Sequence, residues 1–186
     1  MKKVVLAITG ASGVIYGITL LKELKKMGCY IYLIVSENAK KIIQYETKYE
    51  LREIISLGDE FSEEKNIAFK LASGSAKYDV AIIVPCSLKT LGAIANGYAH
   101  NLITRMAVCS LKEGRKLILV PRETPLDLIS IENMLRVKKN GAIILPAMPA
   151  FYHRPKNIDE IVKYIVGKIL DSMEIEHSLV TRWEGE

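Results

Sequence analysis

An α/β fold, a three-layer αβα sandwich doubly wound around a mostly parallel sheet, is the architecture that the sequence predicts. Two observations predict it. Strand-like and helix-like segments alternate from end to end. The strand-like segments are unbroken Val, Ile and Leu runs without polar alternation, which marks strands buried on both faces. With 186 residues, 49% hydrophobic and 25% charged, the chain has material for a sizeable core and a solvated surface. One domain, 1–186, with a C-terminal tail from about 174, suits that length.

The first strand, residues 4–9, runs into a Gly-rich turn and a helix over about 15–27. A second strand follows at 30–35 and an amphipathic helix at about 37–45. The stretch 48–70 is charged and weakly patterned, and short helices with a loop are expected there. Residues 80–84 form a third apolar run, and 88–113 reads as helical with interruptions. Two further strands, 116–120 and 142–145, bracket a helix over about 125–138, with Gly141 beyond its end as a stop signal. The last helix begins after Pro155, with Asn157 as N-cap, and reaches about Met173. Right-handed crossovers would place helices on both faces of the sheet, as in Rossmann-like and flavodoxin-like folds.

No apolar stretch approaches the roughly 20 residues that span a bilayer. Met1-Lys2-Lys3 ahead of apolar residues has the look of a signal peptide, but the run 4–8 is too short and a Gly-rich turn follows it. A cytoplasmic protein is expected. Cys29, Cys86 and Cys109 are an odd set without metal-ligand spacing, so reduced, buried thiols are the expectation. The net charge of +5 and pI of about 9.0 come from scattered Lys and Arg. That distribution favours small anionic ligands over nucleic acid or a membrane surface.

In doubly wound sheets ligands sit at the C-terminal ends of strands. Gly10-Ala11-Ser12-Gly13 follows the first strand, with Gly17 one helical turn later. Small residues let a backbone approach a ligand, and the helix N-terminus offers free N–H groups to an anion. A tight turn with no ligand is the lesser alternative. Ser36 ends the second strand, where a nicotinamide-dinucleotide enzyme carries an acidic residue, so a mononucleotide fits better. Pro85-Cys86-Ser87-Leu88-Lys89-Thr90, Pro121-Arg122-Glu123-Thr124-Pro125 and Pro146-Ala147-Met148-Pro149-Ala150-Phe151-Tyr152 follow the remaining three. Their convergence says more than any one of them. Glu123 is suited to give a proton to a leaving phosphate, or equally to a structural pair with Arg122. Lys112 by itself reads as a solvated lysine. Cys86 has no His nearby in sequence, His153 reads as a loop residue, and Trp183 lies in a short tail.

Several motifs then recur in a known order. They are Gly10-Ala11-Ser12-Gly13 with Tyr16-Gly17, Pro85-Cys86-Ser87 with Thr90-Leu91, Asn101-Leu102-Ile103 with Arg105, and Leu111-Lys112-Glu113. Arg122-Glu123-Thr124-Pro125-Leu126, Glu132-Asn133-Met134 and Pro149-Ala150-Phe151-Tyr152 complete the order. Over nearly its whole length the chain resembles the flavin prenyltransferases, the UbiX/Pad family once described as aromatic-acid decarboxylases. The resemblance implies a metal-independent transfer of a prenyl group from dimethylallyl monophosphate to N5 and C6 of reduced FMN. Prenylated FMN would then serve a UbiD-type decarboxylase. It implies FMN contacts at Gly10, Ala11, Ser12, Ser36, Ser87, Leu88, Lys89, Thr90 and Arg122. It implies a prenyl-phosphate site of Tyr152 and Lys168, with Arg105 and Lys112 adding charge. Glu123 would assist phosphate departure, Glu46 would lie near the prenyl group, and Trp183 would offer a π face. Large homo-oligomers with sites between subunits are also implied.

Three positions depart from the family pattern. Lys168 replaces the usual Arg and loses the planar fork that grips phosphate twice, so donor preference between mono- and diphosphate is open. His100 stands for the Asp that usually precedes Asn-Leu, and Val108 for another Asp. A flavin-dependent cysteine decarboxylase would carry Pro-Ala-Ser-Ala-Asn-Thr where this chain has Pro85-Cys86-Ser87-Leu88-Lys89-Thr90. A non-catalytic FMN carrier would have no use for Glu123, Lys112 and Tyr152 together.

Overall fold

The computed structural model describes residues 1–180 and 185. Six parallel strands form one sheet in the order β3-β2-β1-β4-β5-β6. At its centre are β1 (Lys3–Ile8), β2 (Tyr30–Val35), β4 (Val80–Cys86) and β5 (Lys116–Pro121). Every residue of β4 is buried, as are all but the first of β1, β2 and β5, so continuous apolar runs are what this sheet requires. Register aligns Leu6 with Leu33 on one side and Ile82 on the other, and Ile82 with Ile118. Alternate residues then point to opposite faces. Val4, Leu6 and Ile8 face α1 (Val14–Lys26), α2 (Glu37–Glu46), α3 (Leu51–Leu57) and α7 (Ile158–Ser172). Val5 and Ala7 face a 3₁₀ turn (Lys70–Ala72), α4 (Leu88–Ala95), α5 (Leu102–Lys112) and α6 (Leu128–Lys139).

Where the elements differ from expectation, local chemistry gives the reason. The charged stretch after α3 contains a sixth strand, β3 (Glu60–Glu63), which pairs with β2. Its sequence Glu-Phe-Ser-Glu lacks the apolar run of an interior strand, and charge suits an edge that must not pair further. The expected 88–113 helix is two. Asn96 ends α4, Gly97 takes φ +68, and Asn101 caps α5 in a box with Thr104. The α6 helix starts after its cap Asp127 rather than at Pro125. Only two residues of the last strand, β6 (Ile143–Ile144), pair in the ladder. All three cysteines are buried and free. Among the described residues no helix is long and apolar enough to cross a membrane.

The chain winds outward from β1 in one direction and from β4 in the other. The gap between the C-terminal ends of these adjacent strands is the switch point of the fold. Gly17 lets α1 lie directly on β4 beside that gap: a Cβ there would sit 2.4 Å from the Val84 carbonyl oxygen. Gly17→Ala is therefore expected to destabilise the protein by about 1–3 kcal/mol through overpacking. Chemical denaturation of the two proteins under one condition measures it.

Candidate active site

The switch point is joined by Thr9, which is buried. Its hydroxyl donates to the Pro85 carbonyl at 2.7 Å and accepts the Ser87 N–H at 2.8 Å. The turn after β1 is thereby tied to the start of α4. That turn is held from two more sides. The Glu46 carboxylate accepts the Gly13 N–H at 2.8 Å, and Arg122 Nε donates to the Ser12 carbonyl at 2.8 Å. Gly13 adopts φ +95, a left-handed conformation that favours glycine. Gly10 lies so close to α2 that a Cβ would fall 2.5 Å from Asn38 Cβ.

Besides α1, which begins at this turn, two helices begin beside it. Ser36 caps α2, accepting the Ala39 N–H at 3.1 Å. Ser87 caps α4, accepting the Thr90 N–H at 3.3 Å and donating to the Thr90 hydroxyl at 3.0 Å. Their N-terminal dipoles and the Lys89 ammonium favour an anion here. One small cavity is lined by Gly10, Ser36, Asn38, Glu64, Ser87 and Thr90, with Lys89 at its side. Larger clefts occur elsewhere, notably one lined by Leu111, Arg115, Lys116 and Asn140. That cleft is at the opposite edge of the sheet, where α5 and α6 end and the helix dipoles present their negative poles.

Three of these groups were not expected. Thr9 closed an apolar strand, Asn38 followed Ser36 inside a helix, and Glu64 lay in the stretch that hid β3. The Glu64 carboxylate accepts the Glu37 N–H at 2.8 Å and the Asn101 side-chain amide at 2.6 Å. It ties the starts of α2 and α5 together. Recognising β3 would have placed Glu64 at a strand end.

Arg122 and Glu123 do not form the pair that would close their turn. Arg122 reaches the Gly loop, and the half-buried Glu123 carboxylate accepts the Thr124 N–H at 3.1 Å. Burial pushes the Tyr16 hydroxyl above its usual range, with the Arg122 guanidinium pulling the other way. Cys86 is wholly enclosed, and desolvation pushes its thiol up to about 12. A thiolate is the nucleophilic form, so Cys86 is inert packing.

The expected donor residues fall elsewhere in the chain. Tyr152 stands edge-on to Tyr164 of α7, with ring centroids 6.0 Å apart, and His153 stacks on the same ring at 5.3 Å and 3°. His153, a loop residue as expected, is held in an aromatic cluster. Lys168 lies one turn beyond Tyr164, on the same face of α7, with its Nζ 3.7 Å from Asp171. Arg105 Nε donates to the Ala72 carbonyl at 3.0 Å. Lys112 ends α5, is 64% exposed and pairs with Glu113 at 3.1 Å. The chain therefore does not bring Lys112 or Lys168 to its own Gly loop. In a parallel sheet each crossover helix runs back from the C-terminal to the N-terminal edge of the strands. Residues late in α5 and α7 accordingly sit toward the far edge. Trp183 lies outside the described residues. Among the described residues no group of three or more His, Cys, Asp or Glu side chains is arranged to hold a metal ion.

A model of the Flavoprotein family matches residues 1–170. The flavin prenyltransferase UbiX of Methanothermobacter thermautotrophicus is 48% identical over 186 residues, which are all of this chain and 97% of that protein. This chain belongs to the flavin prenyltransferase family. The family is one of transferases, and this member shares its fold with solved relatives across the full length. A UbiX protein crystallised with FMN and dimethylallyl pyrophosphate superposes with a TM-score of 0.98 at 39% identity, covering all of this chain and 98% of that one. A dodecameric FMN-dependent UbiX-like decarboxylase from Escherichia coli O157:H7 gives 0.96 at 42% identity, covering 98% and 100%.

For this prenyltransferase, Cys86 is expected to resist iodoacetamide at pH 8.5 in the native state and to react fully in denaturant, as peptide mass spectrometry would read. The sign for stability follows. Burial favours the neutral thiol, so the Cys86 contribution is intact below the ordinary thiol range. It declines as the pH climbs from there toward about 12, because the unfolded chain ionises first. Replacing Cys86 by Ala is expected to flatten that part of the alkaline decline, measured by denaturation at stepped pH.

Proposed function

We propose that this chain joins the dimethylallyl group of dimethylallyl monophosphate to N5 and C6 of reduced FMN, releasing phosphate. Prenylated FMN then goes to a UbiD-type decarboxylase. One observation carries the reading. Gly10–Gly13, Ser36, Ser87–Thr90 and Arg122 converge on the switch point joined by Thr9, in a chain 39% identical to a UbiX protein solved with FMN and dimethylallyl pyrophosphate.

The residues present fit FMN. Gly10 and Gly13 leave a turn whose only side chains are the small ones of Ala11 and Ser12, two capped helix N-termini favour a phosphate, and Arg122 spans from the end of β5 to the loop. Gly10, Ala11, Ser12, Ser36, Ser87 through Thr90 and Arg122 hold the flavin, with the chain working as one flavin-binding domain. Reduced FMN, when bound, supplies the electron-rich N5 and C6 positions. Glu123, half-buried beside Arg122, delivers a proton to the phosphate oxygen that leaves the allylic carbon. Cations stabilise that phosphate as its charge grows, and an apolar aromatic wall keeps water from the allylic carbon. Glu46, fixed on Gly13, borders the prenyl group.

The cations and the wall come from neighbouring copies. Lys112 and Lys168 lie away from this chain's own loop, so a second and a third chain bring Lys112 with Arg105, and Tyr152 with Lys168 and Trp183. Apolar side chains stand ready for such contact. Leu128, Ile131 and Leu135 form an exposed row on α6, and Met148 and Phe151 are 63% and 64% exposed. A row of this kind marks an interaction surface.

Anaerobic incubation with reduced FMN and either donor, followed by mass spectrometry of the flavin, tests the reading. A gain of one five-carbon unit supports it, and the faster donor reports on Lys168. Unchanged FMN on protein that binds FMN would leave a carrier in its place. Glu123→Gln is expected to lower kcat about 100-fold or more while FMN affinity, measured by fluorescence quenching, stays within twofold of the parent.

A further inference from the structure

Beyond α7 the chain turns back along that helix. Ile175 N–H donates to the Leu170 carbonyl, and Ile175 and Leu179 pack against the core beside α7. Between them the His177 side chain is only 3% exposed. It fits because position 167 has no side chain. A Cβ on Gly167 would lie 2.8 Å from His177 Cε1 and 2.9 Å from Val180 Cγ2. The next residue along α7 is Lys168.

The hydrogen bonds of His177 define its proton. Leu179 N–H donates to Nδ1 at 3.2 Å, so Nδ1 carries no hydrogen and the ring proton is on Nε2. Nε2–H then donates to Asp171 Oδ1 at 3.2 Å. The other oxygen of that carboxylate, Oδ2, faces Lys168 Nζ at 3.7 Å. This distance is beyond a hydrogen bond. Lys168 is thus near its counter-charge without giving it an N–H, although Asp171 and Lys168 are neighbours on one helix face and nothing about their spacing forbids a tighter pair.

We infer that His177 is a positioning residue for the donor phosphate. By holding one oxygen of Asp171, it keeps that carboxylate from closing on Lys168 and leaves the ammonium available to phosphate. The inference rests on the reading of Lys168 as a phosphate ligand given above. An ammonium engaged by a carboxylate is a weaker partner for a second anion, because its N–H donors and its charge are already committed.

Substitutions separate this role from simple anchoring of the tail. In His177→Asn the side-chain oxygen can still accept from Leu179, but the amide is too short to reach Asp171. In His177→Gln the amide stands where Nε2 stood and can still donate to Asp171. Donor affinity for FMN-loaded protein, read by calorimetry, and the steady-state constants are then compared. His177→Asn is expected to weaken donor binding and raise donor KM about five- to tenfold, with kcat and FMN affinity within twofold of the parent. His177→Gln is expected to stay within twofold throughout. The decisive variant is His177→Asn combined with Asp171→Asn. Without a carboxylate to close on Lys168, donor affinity should return to within twofold of the parent. Persistence of the defect in the double variant would make His177 a tail anchor and overturn the inference, as would an unaffected His177→Asn. Lys168→Ala tells the two failures apart. If it weakens donor binding while His177→Asn does not, only the positioning role falls. If Lys168→Ala leaves donor binding unchanged, the phosphate role of Lys168 falls, and the role of His177 with it.

Discussion

One hydroxyl group ties the turn after β1 to the start of α4. Thr9 Oγ1 gives its hydrogen to the Pro85 carbonyl and takes the Ser87 N–H, both in a buried setting where an unmade hydrogen bond would cost about 1–3 kcal/mol. It reinforces the C-terminal end of the β1–β4 pairing, where the Thr9 N–H also donates to the Pro85 carbonyl at 3.3 Å. The Gly turn on one side and the α4 cap on the other are placed relative to each other by that link. Glu46 and Arg122 then fix the turn from α2 and from the end of β5. Four segments distant in sequence form one rigid cradle, and hydrogen bonds to backbone atoms do most of the holding. Side chains lining the cradle can therefore stay small.

The readable parts of the sequence were those whose physics is local. Unbroken apolar runs at β1, β2, β4 and β5 announce strands covered on both faces, and their ends could be searched for Gly, Ser and Thr. Ser36 and Ser87 were legible as strand-end hydroxyls because each follows such a run. What could not be read was set by distant contacts. The strand β3 is made by pairing with β2, not by its own Glu-Phe-Ser-Glu sequence, and Glu64 was hidden with it. Nothing around residue 122 says that its guanidinium will reach Ser12 in place of the adjacent Glu123. The break at Gly97 inside an apparently long helical stretch needed the Asn101 cap to be seen as such.

The polarity of the crossovers explains a second feature. All the strands point one way, so the helix starts gather at one edge and the helix ends at the other. Groups that welcome a flavin phosphate belong to the first edge, in the form of capped N-termini. Lys112 at the end of α5, and Lys168 near the end of α7, belong toward the second. The sequence motif order cannot display this separation, because Lys112 stands close to Arg122 along the chain. The exposed row on α6 and the exposed Met148 and Phe151 give such separated groups a surface through which copies can meet.

On the proposed division of labour, the separation has a genetic consequence. A chain damaged at Arg122 has lost its own cradle but still exports a sound Tyr152 and Lys168 to a neighbour. A chain damaged at Lys168 keeps a sound cradle and lacks only what it would have exported. Each lesion alone silences every site of a uniform assembly. Mixed in one cell, the two would rebuild some complete sites from undamaged halves, so two inactive alleles of one gene would complement each other. An enzyme whose site was built within one chain has no such recourse.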